Sequence, residues 1–87
     1  MTNTTAHQVT LLTRAGCALC DQAWEQVTAI CAELGAAAAM VDVDAVAGED
    51  PRLRAEYGDR LPVVLLDGRE HSYFDVDETR LRADLSG

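Results

Sequence analysis

Two cysteines separated by two residues, Cys17 and Cys20, stand where the character of the chain changes. Ahead of them runs a short β-branched and apolar stretch, Val9-Thr10-Leu11-Leu12-Thr13, then the turn Arg14-Ala15-Gly16; behind them a helical pattern begins. A strand has to end here, and a helix has to start at the pair. The first thiol then sits near the free N–H groups and the positive dipole end of that helix. Those groups favour thiolate over thiol and draw the pKa from its free value of ~8.5 toward the ~3.5–7.5 of such sites. The second thiol, one helical turn on, is close enough to close a disulfide. Nucleophile and resolving partner are supplied within one turn, and the pattern points to thiol–disulfide exchange.

Cysteine usage and charge bound the setting. The third cysteine, Cys31, makes the count odd, which argues against a secreted disulfide scaffold. In a reducing compartment a close pair is catalytic, redox-sensing or metal-binding rather than structural. The 87 residues make one domain with a small core. Seven basic against fifteen acidic side chains give a formal net charge of −8, which repels phosphate backbones and anionic lipid. Nucleic acid and membranes are therefore not expected as partners. No apolar run approaches the ~18 residues of a membrane span. The start, Met1 to His7, has neither the basic head nor the apolar middle of a signal peptide, so the cytoplasm is the expected location.

Taken in order, Gln8–Thr13 reads as a strand buried on both faces. Leu19, Ala23, Val27, Ile30 and Leu34 form one face of a helix from Ala18 to Leu34, stopped by Gly35. Ala36–Ala39 is ambiguous, since alanine favours helix yet Gly35 ends the helix just before it, and Met40–Asp44 alternates apolar and acidic as a second strand. Asp50 and Pro51 read as the N-cap and first position of a short helix, Pro51 to Tyr57, ended by Gly58. Val63–Leu66 is a buried third strand. Asp67-Gly68 is a hairpin signal, and Arg69–Phe74 is an edge strand. Asp75 or Asp77 caps a last helix, roughly Asp77 to Leu85, with Leu81 and Leu85 facing inward. The order is β-α-β-α-β-β-α, over one domain at residues 8–85.

This order, with C-x-x-C at the first strand–helix turn, Leu61-Pro62 opening the third strand and Asp67-Gly68 after it, resembles the thioredoxin-like fold. Its size is similar to the glutaredoxin branch, and the run from Leu61 to Gly68 resembles that of bacterial glutaredoxin-like proteins. The resemblance implies an α/β fold with a four-stranded mixed sheet flanked by helices. It implies that Cys17 is the catalytic nucleophile, Cys20 the resolving thiol and Pro62 a cis-proline facing them. It also implies that the Leu61 backbone binds an incoming thiol peptide, that Arg14 is the basic residue ahead of the motif on the substrate side, and that Asp77 receives the amine of glutathione; Arg60, which replaces the threonine usual in the branch, is expected beside the substrate as well. Where the branch has Gly-Gly before the last helix, this chain has Phe74-Asp75, so glutathione dependence is expected to be weak. The expected activity is reduction of protein or small-molecule disulfides. No bound cofactor is expected; an external thiol or a reductase supplies electrons, and the chain acts as a monomer.

The same residues have plainer readings. Cys17 and Cys20 could be half of a zinc site, but no second C-x-x-C exists and His7 and His71 stand alone. A metal-binding or partner-binding module of the same fold, without turnover, is the alternative. Cys31, eleven residues beyond Cys20, is expected to be a small buried side chain. Trp24 either shields the disulfide or merely packs. His71 is expected at the surface, Asp42, Asp44, Glu49 and Asp50 as a solvated acidic edge, and Arg80 and Arg82 as exposed partners of Asp77, Glu78 and Asp84.

Overall fold

The computed structural model describes residues 7–86. The elements are β1 (Gln8–Thr13), α1 (Ala18–Leu34), β2 (Ala37–Asp42), α2 (Pro51–Tyr57), β3 (Val63–Leu66), β4 (Arg69–Tyr73) and α3 (Glu78–Ser86). They build one four-stranded sheet in the order β2-β1-β3-β4. The βαβ unit makes β1 and β2 parallel, β3 runs antiparallel to β1, and the hairpin makes β4 antiparallel to β3. This is the expected α/β thioredoxin-like architecture with its mixed sheet.

The central strand β1 separates two cores. Val9, Leu11 and Val64 meet Ala23, Val27, Ile30, Leu81 and Leu85, so α1 and α3 cover one face. Leu12, Val63, Leu65 and Val43 form a smaller cluster on the other face, against Leu53 and Tyr57 of α2. No residue of α2 is fully buried.

Five local expectations need correction. Leu19 is 59% exposed instead of lying in the buried stripe of α1, where Cys20 takes the inward place. Leu19, in the first turn of α1, faces solvent among the described residues. The second strand starts at Ala37, three residues earlier than the alternation suggests, and ends at Asp42. Pairing from Gln8↔Ala37 to Thr13↔Asp42 overrides the helical propensity of alanine. The Asp50 side chain makes no cap hydrogen bond and leans toward Arg52, leaving Pro51 to start α2. The fourth strand stops at Tyr73, because Phe74 turns into the left-handed region at φ 66°. His71 is not a surface residue: its side chain is only 6% exposed, with Nε2 2.7 Å from the Asp84 carboxylate.

The cause of that last difference is a bulge. Val64 pairs with Ser72 and Leu65 with Glu70, so His71 is the extra residue on β4. A bulge re-aims the side chain it carries. Here the imidazole meets α3, and the Arg80 guanidinium also donates to the His71 carbonyl. Asp77 caps α3 by accepting from the Arg80 N–H at 3.2 Å. The hairpin turn holds Asp67 at φ 52° and Gly68 at φ 87°, the pair of positive values that a two-residue turn of this hand requires.

Candidate functional site

β1 ends at Thr13, whose hydroxyl donates to the Val41 carbonyl. Gly16, at φ 79°, then swings the chain into α1. Cys17 is the N-cap, in extended conformation, and its sulfur accepts from the Cys20 N–H at 3.1 Å. Cys17 and Cys20 form a disulfide with their Cα atoms 5.2 Å apart. The two sulfurs are unequally placed. Cys17 is half-buried, whereas Cys20 is 2% exposed and faces the protein interior. The Cys20 N–H is the donor a Cys17 thiolate would use.

The Leu61–Pro62 peptide is cis, and Pro62 is fully buried. Leu12, Val63 and Tyr73 are register neighbours across β1, β3 and β4. The cysteine turn after β1, Leu61-Pro62 before β3 and Phe74 after β4 therefore gather at one end of the sheet. Phe74 donates its N–H to the Arg60 carbonyl at 3.0 Å, tying that loop to the proline turn. Among the described residues, the Leu61 N–H and C=O take no backbone partner.

The charged residues expected around the pair each have partners of their own. Arg14 forms a two-point pair with Asp44, at 2.7 and 3.3 Å, and donates to the Gly58 carbonyl. The Asp44 carboxylate raises the Arg14 pKa, and Arg14 holds that of Asp44 below the usual carboxylate range. Arg54 adds a second cation 3.8 Å from Asp44. Arg60 lies between the rings of Tyr57 and Tyr73, at 5.5 and 5.6 Å, and donates to the Glu56 carbonyl. Asp77 is both cap and partner of Arg80, at 3.4 Å. Asp21, in the first turn of α1, is exposed.

The remaining candidates fall into structural roles. Cys31 is buried, its Sγ 3.9 Å from the Ala37 carbonyl, and burial pushes its thiol pKa up. Trp24 packs, half-buried, against the larger core. Asp42 accepts from the N–H groups of Asp44 and Ala45, closing the turn after β2. Arg82 bridges Glu78 and Glu33, linking α3 to α1. Among the described residues, no three His, Cys, Asp or Glu side chains converge as a metal site. Two features escaped sequence reasoning: the His71–Asp84 link and the left-handed Phe74. A histidine on a polar edge strand carries no mark of a bulge. The only trace of the second was the unusual Phe74-Asp75 itself.

A family model described as Glutaredoxin-like domain (DUF836) matches residues 8–86. The chain belongs to this glutaredoxin-like family. Proteins of Mycobacterium bovis and Mycobacterium tuberculosis, named only as uncharacterized, are 61% identical to this glutaredoxin-like chain over 80 residues. The match covers 91% of the chain and 82% of theirs. Among solved structures, a structural-genomics target from X. campestris superposes with a TM-score of 0.58 at 37% identity, covering 88% of this chain and 93% of that one. Fasciola hepatica thioredoxin gives a TM-score of 0.61 at 26% identity, covering 93% and 79%. A thioredoxin mutant from Halobacterium salinarum gives 0.63 at 24% identity, covering 93% and 73%, a likeness of fold alone. The glutaredoxin-like fold with its Cys17–Cys20 disulfide is compatible with redox function.

Proposed function

We propose that this protein is a thiol–disulfide oxidoreductase that reduces protein or small-molecule disulfides, with little dependence on glutathione. The observation that carries the reading is the asymmetry of the pair: a half-buried Cys17 on the end of α1, bonded to a buried Cys20. In the reduced protein the Cys17 thiolate attacks one sulfur of a substrate disulfide. The substrate S–S bond breaks, a mixed disulfide forms on Cys17, and the departing thiolate takes a proton from solvent. Cys20, as thiolate, then attacks the Cys17 sulfur and expels the second substrate thiolate. The substrate gains two electrons and the protein becomes the Cys17–Cys20 disulfide. A small thiol or a reductase returns those electrons, with no cofactor held by the protein.

The Leu61 backbone, next to the buried Pro62, supplies the edge along which the substrate chain lies. The Leu61 N–H and C=O, without backbone partners among the described residues, are suited to a strand added at an edge. Glutathione carries two carboxylates and one ammonium. Phe74 adds bulk beside this surface, Asp75 adds negative charge, and Asp77 is already engaged as cap and ion-pair partner. The test is an NADPH-coupled assay offering glutathione, another small thiol and thioredoxin reductase side by side. Turnover is expected with the second or third donor. Glutathione-dependent rates equal to those of a dithiol glutaredoxin control would restore ordinary glutaredoxin function.

A further inference from the structure

We infer that the surface beside Cys17 docks an extended, disulfide-bearing polypeptide with an apolar side chain next to its cysteine and a lysine or arginine close by. This rests on the redox reading above and names the substrate class it acts on. Three of the large apolar side chains exposed among the described residues are Leu19 at 59%, Tyr73 at 51% and Phe74 at 55%. Leu19 lies inside the C-x-x-C motif. Tyr73 and Phe74 stand at the same end of the sheet, their rings edge to face at 5.3 Å. Apolar surface gathered around a reactive group marks a binding face rather than a solvated one.

The aromatic pair is held in place before any ligand arrives. The Phe74 N–H is bonded to the Arg60 carbonyl, and the Ser72 hydroxyl donates to the Asp75 carbonyl at 2.9 Å. The Leu61 N–H and C=O lie next to it without backbone partners among the described residues. A chain laid along Leu61 takes both groups, and its alternate side chains reach the apolar shelf.

Charge selects what such a chain carries. The cations at this end are paired: Arg14 with Asp44, Arg60 between two tyrosines and near Glu70, Arg80 with Asp77. Asp21 and Asp75 face solvent, with no cation in ion-pair reach among the described residues. On a chain of net charge −8, the rim left open is anionic. A cationic side chain next to the target disulfide is attracted, and an anionic one is repelled.

The experiment uses the full chain, reduced and freed of reductant, in single-turnover reactions. The substrates are two cyclic peptides, each closed by one disulfide and flanked by leucine, differing only in lysine against glutamate. Glutathione disulfide and uncharged hydroxyethyl disulfide complete the set. The lysine peptide should react about tenfold faster than its glutamate twin at low ionic strength, and the gap should narrow as salt is added. Asp75→Asn should shrink the lysine/glutamate ratio. Phe74→Gly should shrink the preference for a leucine-flanked over a serine-flanked lysine peptide.

Equal rates for the two peptides, or glutathione disulfide reacting as fast as the lysine peptide, would overturn the inference. So would sedimentation as a dimer in which a second copy covers the shelf. Reduction of hydroxyethyl disulfide without any peptide preference removes the docking surface and leaves the redox reading standing. No reduction of any disulfide removes the redox reading. The docking surface is then judged by binding of the lysine peptide to the Cys17→Ser/Cys20→Ser protein, with amide shifts expected at Leu61 and Phe74 and no such shifts counting against it.

Discussion

Solvent reaches Cys17 and does not reach Cys20, although one helical turn separates them. The accessible sulfur is also the one placed to accept the Cys20 N–H. In the reduced protein, alkylation at mildly acidic pH followed by mass spectrometry should therefore label Cys17 first, with Cys31 protected by burial and a raised pKa. Preferential labelling of Cys20 would reverse the two roles. Cys20→Ser should leave the first attack intact and stall at the mixed disulfide, while Cys17→Ser should abolish both steps. Phe74 invites a different test. A non-glycine residue in the left-handed region costs about 1–2 kcal/mol, and more than half of this side chain is exposed. Phe74→Gly should thus leave thermal stability unchanged or raise it by up to about 1 kcal/mol, read as an increase in Tm. A substantial loss would mean that the ring contributes more to the fold than its contacts with Tyr73 suggest.

At the scale of elements, α3 is held by two buried leucines and by the bulge on β4. Leu81 is fully buried, so Leu81→Ala should cost about 2–5 kcal/mol, a large share of the 5–15 kcal/mol typical of small domains. Denaturant unfolding measures this directly. The hairpin has its own signature in acid. Asp67 accepts from the Gln8 N–H and from His7, and these bonds hold its carboxyl below the ordinary value. A depressed folded pKa stabilises fully above the unfolded value of about 3.9, and that contribution disappears as pH falls through the lower folded value. Asp67→Asn should flatten the acid limb of a stability–pH curve below about pH 4 and leave the neutral range nearly parallel to wild type.

The legible and illegible parts of this chain divide along the same lines. Strand β1, helices α1 and α2, and the hairpin are local: period, Gly35, Pro51 and Asp67-Gly68 mark them within a few residues. The cysteines and the proline were visible because their chemistry is tied to residue type. Ala37–Ala39 could not be read as strand, because partners 29 residues away decide it. The same holds for Arg14. Its position beside the motif is plain in the sequence, but Asp44, which binds it, follows β2 and is brought near by the pairing of β2 with β1.

For the whole molecule, the sheet acts as a partition between a large core under α1 and α3 and a small one under α2. The net charge of −8 is distributed over a surface that encloses both. Self-repulsion of that size destabilises a compact state, and salt relieves it. The Tm should therefore rise on moving from low to moderate sodium chloride, even though the ion pairs of Arg14 and Arg82 are weakened by the same salt. A Tm that falls with salt would show that those pairs outweigh the general repulsion.

The loose seating of α2 has a further consequence, which lies in time rather than in space. A helix with no fully buried residue protects its amides poorly, so α2 should exchange hydrogen for deuterium well before β1, β3 and the inner face of α1. Arg14 reaches from the cysteine turn to the Gly58 carbonyl at the end of that helix. Each local opening of α2 therefore releases one anchor of the turn that carries Cys17. The two events share a rhythm: amides of residues 54–58 and 14–17 should exchange with correlated rates, while those of α3 keep a slower, separate clock.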